Sequence, residues 1–211
     1  MRFLVFFLSL SIPAAVVLDR MAVIVGNHVI KSSDIERDLR VTEFLNNEPL
    51  KLDAAAKKQS AERLIDQEII RQEIITGGYR RPTDEDANAF EQQLRHDRFG
   101  ASEQQLVRAL ARYGLSQEEL RNQLLWQLTV LRFIDQRFRA GVLVTDEDVR
   151  AYYDQHLAEL RAANPRNYSF ETLQAKIRTT LEGNQVNQNF TEWLEQARKR
   201  NRIEYRPKAL Q

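Results

Sequence analysis

The feature that most constrains the fold is a helix-start signal that recurs along the chain. A Ser or Thr precedes an acid or a Gln by three residues in the pairs Ser33 with Glu36, Thr83 with Asp86, Ser102 with Gln105, Ser116 with Glu119, and Thr145 with Asp148. In such a pair the hydroxyl accepts a backbone N–H of the first turn, and the second side chain reaches back to the cap. Gly and Pro, which interrupt helices, number only 7 and 5 in 211 residues, about half their usual share. The chain is therefore predicted to be mostly helical.

Gly, Pro and Asn residues separate the predicted helices. The helices are predicted over residues 33–46, 53–77, 83–100, 102–114, 116–141, 145–164 and 169–201. Residues 21–30 are rich in Val and Ile around a tight turn at Gly26 and Asn27, which predicts two short strands. Residues 203–205 predict one more short strand. The predicted fold class is therefore mostly α, with a small N-terminal β-hairpin.

The helix predicted over residues 116–141 carries two apolar stripes. The first stripe is Leu120, Leu124, Leu128, Leu131, Ile134 and Phe138, and the second is Trp126, Val130 and Phe133. Together they cover more than half of the helix circumference, which predicts a core helix surrounded by its neighbours. The alternative is that part of the second stripe lines a groove for an apolar peptide.

The first residues have the three parts of a secretory signal peptide. Met1 and Arg2 form a short basic start, residues 3–12 are apolar, and small residues follow as far as Ala15. We predict a signal peptide over residues 1–15, cleaved after Ala15. An uncleaved anchor is the alternative, although residues 3–18 are shorter than the roughly 20 apolar residues that a spanning helix needs. An exported chain without Cys needs no disulfide-forming machinery, which favours a bacterial periplasm.

Composition and motifs exclude several function classes. The net charge of +1 argues against nucleic-acid binding by bulk charge. The absence of Cys, the wide separation of the three His and the lack of nucleotide-loop, hydrolase and zinc motifs predict no catalytic residues, no metal site and no cofactor. The acidic runs 84–86 and 146–148 stand at predicted helix starts, and the basic run 198–200 at a helix end, where each complements the helix dipole. A phosphate or anionic-lipid contact by the basic run is the alternative.

Several segments occur in an order that resembles one known family. They are residues 19–30 followed by Ser33, Asp34 and Ile35, then residues 63–70, 113–124, 144–153 and 170–205. In this order, and behind a predicted signal peptide, they resemble SurA-like periplasmic chaperones. The resemblance covers nearly all of the chain after the signal peptide.

The resemblance implies a particular architecture. Residues 19–160 would form a helical chaperone domain, and residues 168–206 a C-terminal helix and strand that pack back on it, with the strand joining the N-terminal hairpin. In the family, parvulin-type prolyl isomerase domains separate these two parts. Here only residues 160–168 lie between them, and nine residues cannot form such a domain. No catalytic residue is therefore carried over from the family.

The resemblance also implies a function. We expect an ATP-independent holdase that binds unfolded outer-membrane or envelope polypeptides, with no nucleic-acid partner and no membrane insertion once the signal is removed. The candidate client-binding residues are the aromatic side chains Phe44, Phe99, Tyr113, Trp126 and Phe133. A non-catalytic envelope scaffold or partner subunit is the first alternative, and a prolyl isomerase is the second. The oligomeric state is left open.

Overall fold

A computed structural model describes residues 19–210, so the predicted signal peptide lies outside the described residues. The strands and helices follow one another as β1 (Met21–Val25), β2 (His28–Lys31), α1 (Ser32–Asn46), α2 (Ala54–Gly77), α3 (Asp84–Phe99), α4 (Glu103–Arg112), α5 (Gln117–Ile134), α6 (Asp146–Gln155), α7 (Leu157–Ala163), α8 (Phe170–Arg200) and β3 (Ile203–Tyr205). A π-helical turn, Asp135–Arg139, continues α5, and a 3-10 turn, Pro207–Ala209, follows β3. The predicted mostly α fold is confirmed.

Local capping explains where most helices begin. Three predicted capping boxes are present, in which Asp86, Glu119 and Asp148 accept the cap backbone N–H at 2.7, 2.8 and 2.9 Å. Asp53 accepts the backbone N–H of Ala56 at 2.9 Å and begins α2. These bonds connect residues three apart, so they form as soon as the chain turns into a helix.

The capping box predicted for Ser33 and Glu36 is wrong. Helix α1 begins one residue earlier, directly after β2, and the Asp34 carboxylate accepts the backbone N–H of Lys31 at 2.9 Å. The Ser33 hydroxyl instead donates to the Asp19 carboxylate at 2.5 Å. Pairing of β2 with β1 fixes the direction in which the chain enters α1, so the position of the cap follows the sheet rather than the local motif.

The three strands form one antiparallel sheet with β1 in the centre. The order is β2-β1-β3, and Ile24 of β1 faces Val29 of β2 and Glu204 of β3. The predicted pairing of the terminal strand with the N-terminal hairpin is confirmed. Near the end of α8, Arg198 pairs with Glu62 and Asp66 of α2. The two ends of the described chain therefore meet.

Four apolar clusters hold the helices together. The first joins the sheet to α1, α2 and the end of α8, and the second joins α1, α4 and the start of α5. The third joins α2, the end of α5 and the middle of α8. The fourth packs α6 against the first half of α8 through Val149, Tyr153, Leu173 and Ile177. The connection over residues 160–168, which includes the end of α7, therefore leads into a helix that packs on α6.

Two helices differ from their predictions. The helix predicted over residues 145–164 is divided at His156 into α6 and α7. Helix α5 is surrounded less completely than its pattern predicts, because Leu131 is 60% exposed and residues 125–130 are only partly buried. The apolar pattern shows where a helix can pack but not how many neighbours reach it. No helix within residues 19–210 is long and apolar enough to cross a membrane.

Candidate functional site

An open cleft lies between β2, α1, α2 and the first half of α5. Its volume is about 750 Å³. Strand β2 runs along one wall, and residues of α2 and α5 form the facing walls. We call it the main cleft. Strand β2 leads directly into α1, and both elements line the cleft.

Trp126 is the largest apolar side chain that lines the main cleft. Its side chain is half-buried, and the Arg71 guanidinium lies over the indole ring at 4.8 Å from the ring centre. Val41 of α1 and Leu64 of α2 add aliphatic surface. A guanidinium over an indole is attracted by the ring electrons, so Arg71 ties α2 to α5 at this end of the cleft.

Charged side chains surround this apolar surface, and most of them are paired. Glu68 is only 6% exposed and accepts hydrogen bonds from Arg71 at 2.8 Å and Gln72 at 3.0 Å. Arg37 lies 3.3 Å from both Asp34 and Glu119. These pairs fix the positions of side chains that would otherwise be mobile on the surface.

The Glu119 carboxylate also belongs to the cap of α5. The backbone N–H of Ser116 donates to it and, together with the Ser116 hydroxyl and Arg37, holds its pKa below the usual value. Glu119 therefore stays charged at neutral pH. A single residue thus caps α5 and anchors an ion pair of the main cleft.

A second, smaller cleft lies between the end of α1, α3 and α4. Its volume is about 240 Å³, and it is lined in part by Phe44, Phe99 and Tyr113. Phe44 stacks on Phe99 with 6.4 Å between ring centres and meets Tyr113 edge-on at 5.6 Å. The Tyr113 hydroxyl donates to the carbonyl of Glu48 at 2.8 Å, and Arg98 lies over Phe44 at 5.0 Å. We call it the small cleft.

The structure therefore distributes the five predicted client-binding residues over three places. Trp126 lies in the main cleft, and Phe44, Phe99 and Tyr113 line the small cleft. Phe133 lies in the aromatic core between α2, α5 and α8. Phe44 and Phe133 are each 1% exposed, so only Phe99, Tyr113 and Trp126 present surface to a ligand in this conformation. Client binding by any of them stays a prediction.

Sequence reasoning missed three amide side chains in the main cleft. They are Gln67 of α2 and Asn122 and Gln123 of α5. The available signal was their spacing: Asn122 and Gln123 precede Trp126 by one helical turn, and Gln67 precedes Arg71 by one turn. Residues at this spacing share a helix face. Among the residues described, no three acidic or His side chains lie close enough together to hold a metal ion.

Open clefts that combine apolar side chains with paired charges around them are suited to polypeptide binding. The comparison with known proteins fits a polypeptide-binding protein. No family model matches the chain. The chain is similar to "Chaperone SurA" of Pseudomonas aeruginosa, with 29% identity over 188 residues, which covers 82% of this chain and 45% of that protein. The chain thus spans less than half the length of this relative, and the match supports a distant SurA-like relation.

Proposed function

We propose that the chain is an ATP-independent chaperone that holds unfolded polypeptides in the main cleft. The observation that carries the proposal is a half-buried Trp126 beside aliphatic side chains in an open cleft with paired charges around it. The similarity to a chaperone over most of the chain supports it. A periplasmic location and clients from the outer membrane or envelope rest on the predicted signal peptide and on the resemblance.

Such a site can bind and release without chemical energy. Burial of apolar surface contributes roughly 25 cal/mol per Å², and the cost of ordering an unfolded client offsets much of this gain. Binding is then weak enough for release whenever the client folds or is handed on. The ion pairs of Arg37 with Asp34 and Glu119 are partly exposed, so the rim of the empty cleft stays hydrated.

The direct test is suppression of aggregation. An unfolded outer-membrane protein is diluted from denaturant into buffer with the purified chain, without ATP, and light scattering is followed. We expect suppression at near-stoichiometric amounts of the chain. The Trp126→Ala variant should suppress less, because it removes the largest apolar side chain that lines the main cleft.

A matched control lies on the same helix. Leu131 is exposed and is not among the residues that line the main cleft, so Leu131→Ala should suppress aggregation like the unaltered chain. Equal activity of Trp126→Ala and the unaltered chain would rule out the main cleft as the binding site. No suppression by the unaltered chain would favour the scaffold alternative. Copurification of a partner in stoichiometric amount would support that alternative.

A further inference from the structure

Within residues 19–210, no strand pairs with the outer edge of β2, and this edge borders the main cleft. Gly26 N–H donates to Arg202 O at 2.9 Å, and Arg206 N–H donates to Ala22 O at 2.8 Å. The backbone N–H and C=O groups at residues 22, 24 and 26 therefore point towards β3. In an antiparallel ladder the residue opposite such a position directs its own N–H and C=O outwards. Val29, which pairs with Ile24, thus offers one donor and one acceptor on the cleft side.

The facing walls carry polar groups that match a main chain. The side-chain amides of Gln67, Asn122 and Gln123 have no hydrogen-bond partner within residues 19–210, although the charged groups of the cleft are mostly paired. Each amide supplies two N–H donors and one carbonyl acceptor. These are the groups that a peptide backbone needs on its second side once its first side is bonded to a strand edge.

The charge of the cleft favours a basic occupant. Its lining includes five acidic side chains against three permanently charged basic ones. Arg63 pairs with Asp38 from outside the lining, so five acids face four bases. Within the described chain, Glu118 at the start of α5 is the lining acid without an ion pair, and Lys31 is the lining base without one. This excess of one carboxylate favours Lys and Arg side chains over acidic ones.

We infer that the main cleft binds an extended polypeptide segment through its main-chain amides, and that it prefers segments carrying Lys or Arg. The inference rests on the proposed function and specifies its ligand. The stretch of α5 from Glu118 to Trp126 is about 12 Å long, which matches about four residues of extended chain. Alternate side chains of such a segment lie on opposite sides, so one set can reach Trp126 while the other carries the positive charge.

The test is a titration of the isotope-labelled full chain with capped hexapeptides, followed by NMR. The parent peptide alternates Phe and Lys. We expect chemical-shift changes at Val29, Gln67, Gln123 and the Trp126 indole. Methylation of the two central amide nitrogens should raise Kd about threefold to tenfold, the usual effect of losing a main-chain hydrogen bond. Methylation of the first residue, outside the stretch that fits, should leave Kd unchanged.

Two pairs of variants separate the contributions. Val29→Pro removes the outward N–H and is compatible with an edge strand, whereas Val29→Ala keeps it, so only the first should weaken binding of the parent peptide by about threefold or more. A peptide of alternating Phe and Glu should bind more weakly than the parent, and Glu118→Gln should reduce that difference. If Val29→Pro does not fold, the methylated peptides still decide the question.

The outcomes distinguish this inference from the proposed function. Equal Kd values for the parent and the centrally methylated peptide would overturn main-chain recognition, and equal Kd values for the Lys and Glu peptides would overturn the basic preference. If the chain suppresses aggregation but no peptide shifts the cleft signals, the inference fails and the holdase proposal stands. If aggregation is not suppressed either, both fail.

Discussion

Replacement of Phe133 by Ala should lower the free energy of unfolding by about 4 kcal/mol, within the 3–5 kcal/mol typical of a buried Phe. The ring is 1% exposed and meets three aromatic rings edge-on, Tyr79 at 4.9 Å, Trp193 at 5.4 Å and Phe138 at 5.8 Å between centres. Truncation removes these contacts and leaves a cavity where α2, α5 and α8 meet. The midpoint of thermal unfolding should fall by roughly 8–16 °C, at about 2–4 °C per kcal/mol for a chain of this size.

The measurement is urea and thermal unfolding followed by circular dichroism. Leu131→Ala is the matched control, since Leu131 lies two residues away on the same helix and is 60% exposed. Its effect should stay within about 0.5 kcal/mol. A loss below about 1 kcal/mol for Phe133→Ala would refute its placement in the core. Near-native stability combined with lost aggregation suppression would instead make Phe133 a contact residue for the client.

Two further changes test the backbone and the helix caps. Gly114 has a φ of +65°, and a Cβ there would lie 2.8 Å from Nη1 of Arg40, so Gly114→Ala should destabilise the fold by about 1–2 kcal/mol in urea unfolding. Gly183 lies inside α8 with open space around it, so Gly183→Ala should stabilise the fold by about 0.5–1 kcal/mol. A change of the same sign for both variants would contradict the backbone conformations given to these two glycines. Hydrogen bonds from the Thr145 side chain and backbone hold the pKa of Asp148 below its usual 3.8, so this cap stabilises the fold above that pH and its contribution is lost as the pH falls through the lowered value. The difference in stability between the unaltered chain and Asp148→Asn should therefore be present at neutral pH and disappear in acid, and a difference that does not change with pH would refute the cap.

Prediction worked where the interactions are local. The capping boxes at Thr83, Ser116 and Thr145 involve residues three apart, so a short stretch of sequence holds both partners. The same holds for the tight turn between β1 and β2. The failure at Ser33 has the opposite cause, because the start of α1 depends on the pairing of β2 with β1 and on a hydrogen bond to Asp19.

The candidate site was predictable only in part. The two apolar stripes on α5 identified Trp126 as a groove residue in one interpretation, but Trp126 and Phe133 belong to the same stripe and end in different environments. Phe133 is enclosed by α2 and α8, whereas Trp126 packs at the margin of the same apolar cluster and also lines the open cleft. A periodic pattern gives the direction of a side chain around its own helix and contains no information on which distant helix covers it.

The sequence by itself determined the helical class, the places where most helices begin and the short strands, whereas the joining of the terminal strand to the hairpin was implied by the family resemblance. These depend on backbone hydrogen bonds and caps between neighbours, and on short runs of β-branched residues. Only the tertiary structure decided which aromatic side chains are buried and where the main cleft opens. The cleft is a space left between β2, α1, α2 and α5, and such a space depends on how distant segments pack, because no single segment encloses it.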